Sequence, residues 1–98
     1  MSQFDVYRLA DGGMVLDCQN DLLDDIGTRF VLPLMPEAEA PLPNPHLNPA
    51  LTVNGEPLRL APQFAVAVRT SELRQYVGSL SKHRDVVIRA IDTLIGAG

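Results

Sequence analysis

The clearest local signal in the chain is the stretch Leu51-Thr52-Val53-Asn54-Gly55-Glu56-Pro57-Leu58-Arg59-Leu60. Asn-Gly is a strong signal for a two-residue hairpin turn, because both residues tolerate the positive φ angles that such a turn requires. The apolar and β-branched residues on either side of it are typical of strands. We therefore predict a β-hairpin here and a fold rich in antiparallel strands.

The N-terminal part of the chain shows the same arrangement. An extended segment begins at Phe4 and Val6, and the reverse-turn signal Asp11-Gly12-Gly13 follows it. The return segment, residues 14–18, contains Met, Val, Leu and Cys. These features predict a second hairpin.

Two further strands are predicted between and after the hairpins, over residues 29–34 and 64–68, from their β-branched and aromatic content. Pro33 predicts that the first of them lies at a sheet edge or ends there, because proline donates no ladder hydrogen bond. Five prolines between Pro36 and Pro49 predict a loop without regular structure.

The last segment has a helical pattern. Apolar side chains recur on one face of a predicted helix, at Val87, Ile88, Ile91, Leu94 and Ile95. Ser81 is the predicted N-cap and Gly96 the predicted C-cap. Such a stripe most often packs on a core, although a second copy of the chain can also cover part of it.

These elements predict a mainly β fold with one C-terminal α-helix, a small partly open barrel or rolled sheet of five or more antiparallel strands within a single domain, residues 1–98. The single cysteine, Cys18, has no partner for an internal disulfide, which suits the cytoplasm, and we expect it to face the core beside Leu16. The net charge of −4 with scattered basic residues disfavours direct nucleic-acid binding. No apolar run reaches the length of a membrane-spanning helix.

Three segments, in order, carry a resemblance to a known family. Gln3-Phe4-Asp5-Val6-Tyr7 opens the chain, and an acidic block with two leucines, residues 16–24, precedes the strand 29–34 that ends Pro33-Leu34. The final helix is the third segment. Together they resemble the CcdB-type toxins of bacterial toxin–antitoxin modules, with residues 61–79 and the proline-rich loop the least similar.

The resemblance implies an SH3-like barrel of the type shared with MazF toxins, assembled as a homodimer. It also implies binding to the A subunit of DNA gyrase, which traps the gyrase–DNA cleavage complex without chemistry by the toxin and without a cofactor. A CcdA-like antitoxin would neutralise the toxin through its disordered C-terminal segment. The toxin would reach operator DNA only through that antitoxin, and autoregulation of the operon would follow.

Carried over by position, the gyrase contacts come from the loop after the second strand and from the end of the helix. They are Asn20, Leu22, Leu23, Asp92, Ile95, Gly96, Ala97 and Gly98. Leucines in a loop among aspartates either face a partner or tuck under the barrel, and the sequence leaves both possibilities open.

The tail departs from the family pattern. Relatives usually end in a bulkier apolar or aromatic residue, whereas this chain ends Ile95-Gly96-Ala97-Gly98 and contains no tryptophan. Either Ile95 and the loop leucines bind more weakly, or the toxin is attenuated or acts on a differently shaped gyrase.

Two other functions remain open. A MazF-type endoribonuclease on the same barrel could use Arg29 with Asp17 or Thr28 as an acid–base set, although no basic patch is present to bind RNA. A homologue without gyrase activity could retain antitoxin binding and operon regulation. Metal binding is not indicated, since His46 and His83 have no companions at ligand spacing.

Overall fold

Antiparallel strands are the main regular structure of the chain in a computed structural model that describes residues 1–40 and 42–96. The α-helix and strands of the described part are β1 Asp5–Arg8, β2 Met14–Asp17, β3 Thr28–Pro36, β4 Ala50–Val53, β5 Glu56–Leu60, β6 Val66–Arg69, β7 Gln75–Ser79 and α1 Arg84–Ile95. Seven strands and one C-terminal helix confirm the predicted fold class.

The strands form one curled sheet in the order β4-β5-β3-β2-β1-β7, with β6 also paired to β3. Both ends of this order approach each other, since Asn54 Nδ2 in the β4–β5 turn donates a hydrogen bond to Val77 O in β7 at 3.0 Å. The sheet is therefore a half-barrel, and α1 packs on its apolar inner face.

Both predicted hairpins are present. In the β4–β5 turn, Asn54 and Gly55 have φ angles of 50° and 84°, as a two-residue hairpin turn requires. In the β1–β2 turn, Leu9 N donates to Gly13 O at 2.8 Å, and Gly12 has a φ of 91°. The turn residues thus fix the pairing register of the strands on either side.

The prediction that Pro33 marks an edge or a strand end is wrong, because Pro33 lies inside β3 and pairs with Val15. On its other side, β3 pairs first with β6, through residues 28–31, and then with β5, through residues 34–36. Pro33 O accepts from Ala61 N at 2.9 Å between these two pairings. The missing N–H points toward the same junction, so no ladder hydrogen bond is lost.

Residues 61–79 differ most from the sequence-based expectation. The strand predicted over residues 64–68 begins only at Val66, because Pro62 starts a 3₁₀ turn that includes Phe64. β7 was not predicted. Its residues are exposed or half-buried without a regular alternation, so hydrophobic periodicity does not reveal it.

The proline-rich segment contains no strand or α-helix between residues 37 and 49 where it is described, and its one 3₁₀ turn is Glu37–Glu39. Asn48 holds the segment to the barrel, because its buried side chain donates to Leu60 O at 3.0 Å and to Gln63 Oε1 at 2.9 Å. The proline-rich loop is therefore largely exposed, but hydrogen bonds from Asn48 attach its C-terminal end to the barrel.

The predicted helix is present, but its capping differs at the start. Ser81 is not the N-cap, because residues 81–83 form a 3₁₀ turn that continues into α1 without a side-chain cap. Gly96 is the C-cap, with a φ of 74° and its N–H bonded to Asp92 O. Within the described chain, no helix is long and apolar enough to cross a membrane.

Only part of the predicted apolar stripe is core. Val87 and the neighbouring Ala90 are fully buried against the sheet, and Ile88 and Ile91 pack at the margin of the same cluster. The stripe opens toward its end, where Leu94 and Ile95 are exposed. The helix therefore presents an apolar surface in its last turn.

Candidate partner-binding surface

The chain between β2 and β3 is buried at Cys18 and Gln19 and then exposed over residues 20–28, the last of which is the first residue of β3. Asn20 caps a 3₁₀ turn, Asp21–Leu23, by accepting a hydrogen bond from Leu22 N at 2.9 Å. The Leu22 side chain is 86% exposed and that of Leu23 is 48% exposed. Leu22 thus does not tuck under the barrel, and Leu23 is about half covered.

Gln19 closes the base of this loop. Its side-chain nitrogen donates to Leu23 O and to Thr28 O, each at 2.9 Å, and its side-chain oxygen accepts from Phe30 N at 2.9 Å. One buried amide therefore joins the end of the 3₁₀ turn to the start of β3.

A buried ion pair lies directly behind Gln19. Arg29 Nε donates to Asp17 Oδ2 at 2.8 Å, and both side chains are fully buried. Asp17 Oδ1 accepts from Gln19 N at 3.1 Å. At the front of the loop, Asp21 Oδ1 accepts from Gln3 N at 2.8 Å, which attaches the 3₁₀ turn to the segment before β1.

The second predicted part of the surface is the end of α1. Asp92 is half-buried, Ile95 is 66% exposed and Gly96 is exposed. Ala97 and Gly98 lie outside the described residues. Among the residues that the structure describes, no hydrogen bond joins the loop to the helix end, so the two are separate features of one protomer.

The residues considered for RNA cleavage do not form an open acid–base set. Arg29 and Asp17 neutralise each other in the interior, where substrate does not reach them, and only Thr28 of the three is exposed. A surface cavity of about 460 Å³ lies elsewhere, beside the β1–β2 turn. Its charged lining residues are Arg8, Asp11, Glu39 and Glu56, which favour a cation over a phosphate backbone.

Cys18 is a core residue, as predicted. It is 7% exposed within the main apolar cluster, and burial, with a smaller contribution from the Asp17 carboxylate, raises the pKa of its thiol to about 12. Such a thiol is neutral and unreactive at physiological pH. Within residues 1–40 and 42–96, no three His, Cys, Asp or Glu side chains are grouped to hold a metal ion.

Comparison with solved structures finds the same architecture in another protein. The structure of an endoribonuclease from mycobacterial species superposes with a TM-score of 0.82, over 98% of this chain and 91% of that chain, at 14% sequence identity. At this identity the likeness shows the shared fold alone. A comparison with curated protein sequences finds no match.

The sequence itself is more specific than the fold. The family described as CcdB protein matches residues 3–97, and the chain belongs to this family of toxin–antitoxin toxins. Membership implies an antitoxin as partner.

Sequence reasoning missed the polar base of the loop. Gln19 was not singled out because a glutamine beside an acidic loop resembles any solvated residue. The hypothesis of an acid–base set places Asp17 and Arg29 at the surface, whereas both are buried. The alternation of side chains along a strand could have indicated that these two residues meet. Asp17 pairs with Val31, and Arg29 precedes Val31 by two positions, so the side chains of Asp17 and Arg29 lie on the same face of the sheet.

Proposed function

We propose that this protein is a toxin that binds the A subunit of DNA gyrase and stabilises the gyrase–DNA cleavage complex. It acts in the cytoplasm as a homodimer, and the disordered C-terminal segment of a CcdA-like antitoxin neutralises it. Operator DNA is bound only through that antitoxin, and the toxin–antitoxin complex represses the operon.

The observation that carries this proposal is the exposure of Leu22 on an anchored loop. An apolar side chain of this size forgoes about 1.5–3 kcal/mol while it stays in water, and a protein partner recovers that free energy by covering it. Because Asn20 and Gln19 already hold the loop, little conformational entropy is lost on binding. Apolar side chains on prearranged supports are typical anchors of protein interfaces.

The end of α1 supports the same proposal. Ile95 and Leu94 are exposed in the last turn, where the resemblance to CcdB-type toxins implies part of the gyrase contact. The resemblance implies that the helix ends of the two protomers approach the two-fold axis of the proposed homodimer. One dimer then offers two copies of this apolar surface to the gyrase A dimer. Asp92, half-buried one turn earlier, supplies a polar group at its edge.

The proposed mechanism is binding alone. The toxin occupies gyrase while the DNA is cleaved and disfavours religation, and no toxin residue forms or breaks a bond. The geometry around Arg29 supports this mechanism over RNA cleavage, because a guanidinium buried against Asp17 does not contact a transition state on the surface.

Binding to purified gyrase A subunit tests the proposal. Calorimetry should show saturable binding by the full chain, and Leu22→Arg should abolish it. Leu42→Arg is the matched control, since Leu42 is 95% exposed in the proline-rich loop, outside the proposed surface. Equal loss in both variants, or no binding by the unmodified chain, would contradict the proposal. RNA cleavage by the same sample would favour a ribonuclease, and tight antitoxin binding without gyrase binding would favour a regulator.

A further inference from the structure

The loop that carries Leu22 and Leu23 has no hydrophobic anchor of its own. Residues 20–28 are all exposed, and none of the residues in its 3₁₀ turn is buried. Most protein segments are fixed by burying apolar side chains, which outweighs the conformational entropy that ordering costs. The shape of this exposed nine-residue segment therefore depends on hydrogen bonds. Asn20 and Asp21 make some of them at its front, Thr70 N donates to Gly27 O, and the side chain of Gln19 makes those at its base.

We propose that Gln19 is the positioning residue of this surface: its side-chain amide holds the loop 20–28 in the one conformation that presents Leu22 to gyrase. The inference rests on the proposed function and adds a residue that does not touch the partner. Gln19 is 8% exposed, so it acts through the loop and not by contact.

The geometry supports this role because all the polar atoms of one amide are used across the loop. The nitrogen bonds to a carbonyl inside the 3₁₀ turn and to a carbonyl at the first residue of β3, and the oxygen bonds to the N–H of Phe30. A backbone strand in the same place would make equivalent bonds. The Gln19 side chain thus makes the hydrogen bonds that a neighbouring strand would make, and it joins the two ends of the loop.

Gln19 is itself held in place. Asp17 Oδ1 accepts from the Gln19 N–H at 3.1 Å, and Asp17 Oδ2 is fixed by Arg29. These bonds lie in the interior, where water does not compete and hydrogen bonds are strong. The buried ion pair therefore fixes Gln19, and Gln19 in turn fixes the loop that carries Leu22.

Removing the amide should leave the barrel intact and release the loop. If the loop then adopts the binding conformation for only about one tenth of the time, apparent affinity falls about tenfold, because affinity scales with the competent fraction. This loss should appear mainly as a lower association rate, whereas loss of a direct contact, as in Leu22→Ala, raises the dissociation rate.

The test compares Gln19→Met with Asn48→Leu in the full chain. Asn48 is a matched control, because its buried side chain also makes three hydrogen bonds that fasten an exposed loop, the proline-rich one. Amide hydrogen exchange and ¹⁵N relaxation of Leu22 and Leu23 report the loop, and surface plasmon resonance with gyrase A subunit reports binding. Gln19→Glu, which retains the oxygen facing Phe30 N but loses both donors, serves as a second variant if Gln19→Met does not fold.

We expect faster exchange at Leu22 and Leu23 and about tenfold weaker gyrase binding in Gln19→Met, with neither change in Asn48→Leu. An unchanged loop, or a released loop with unchanged gyrase affinity, would overturn the inference. A released loop in a protein whose unmodified form does not bind gyrase would overturn the gyrase proposal instead, while the hold of Gln19 on the loop would stand.

Discussion

Arg29 and Asp17 meet in the interior, where Arg29 Nε donates to Asp17 Oδ2 at 2.8 Å and both side chains are completely buried. They lie on the face of the sheet that carries Val31, opposite the face on which α1 packs. The pair lies at the base of the loop that carries Leu22. Within the described chain, Arg29 Nη1 is a buried donor without a hydrogen-bond partner. The two charged groups are thus well placed for an ion pair, but one nitrogen of the guanidinium makes no hydrogen bond in the described chain.

The first prediction concerns the stability of this pair. Arg29→Met should lower the free energy of unfolding by about 3–5 kcal/mol, because it leaves the Asp17 charge buried without a partner. The double variant Asp17→Leu/Arg29→Met should recover much of that loss, since no charge then remains buried. Urea unfolding of both variants measures the difference. A double variant as unstable as the single one would show that the pair supplies more than mutual neutralisation.

The second prediction concerns Leu22. Leu22→Arg should leave the free energy of unfolding within about 0.5 kcal/mol of the unmodified value, because its side chain is exposed. Toxicity in growing cells should disappear, since a buried interface does not accommodate an unpaired arginine. Leu42→Arg should remain toxic. Loss of the circular-dichroism signal in Leu22→Arg would show that the loop leucine is part of the core.

The third prediction concerns the end of α1. Ile95→Arg should retain the fold and lose toxicity, because Ile95 is 66% exposed in the last turn. Val86→Arg provides a control on the same helix, since Val86 is exposed near its start and lies away from the proposed surface. Circular dichroism and growth of expressing cells measure both effects. If the Ile95→Arg variant remained toxic, the helix end would not be part of the binding site and the loop would be the main contact.

The fourth prediction concerns alkaline pH. Burial raises the pKa of the Cys18 thiol to about 12 in the folded chain, whereas the pKa of a cysteine in an unfolded chain is about 8.5. The neutral thiol is favoured by folding, so this contribution is complete below about pH 8.5 and is lost as pH rises toward the folded pKa. Stability should therefore fall by up to about 1.4 kcal/mol per pH unit in that range.

Burial and the nearby Asp5 carboxylate also raise the pKa of Tyr7, which acts in the same direction at higher pH. Cys18→Ala provides the control, because it removes the thiol and should flatten the first part of the decrease. Urea unfolding at several pH values between 8 and 11 measures the slopes. Identical slopes in the two proteins would refute the assignment to Cys18.

The fold could be predicted from the sequence where turn chemistry is strong. Asn54-Gly55 and Gly12 adopt positive φ angles that few other residues accept, so both hairpins were predictable. β7 was not, because its residues show no alternation of burial, and its place is set by pairing with β1 far away in sequence. The prediction of an edge at Pro33 failed for a similar reason. Proline has no N–H to donate there, and that side of Pro33 faces the gap between the pairings of β3 with β6 and with β5, which only the tertiary fold creates.

The position of the candidate site stays a prediction from the sequence, and the hydrogen bonds that support the loop could not be predicted from it. The family resemblance named the loop, but the sequence left open whether Leu22 is exposed or tucked under the barrel, and the structure shows that it is exposed. The positioning role of Gln19 depends on three hydrogen bonds to backbone groups on both sides of the loop, and backbone partners leave no trace in the sequence. The burial of Arg29 likewise depends on a partner on a neighbouring strand.

The most direct test of the account is a gyrase cleavage assay. Purified protein, gyrase, supercoiled plasmid and ATP are incubated, and linear DNA is scored after detergent and protease treatment. Linear DNA should form only when the protein is present, should persist with Leu42→Arg and should be lost with Leu22→Arg. An absence of linear DNA while a control poison remains active would contradict the account.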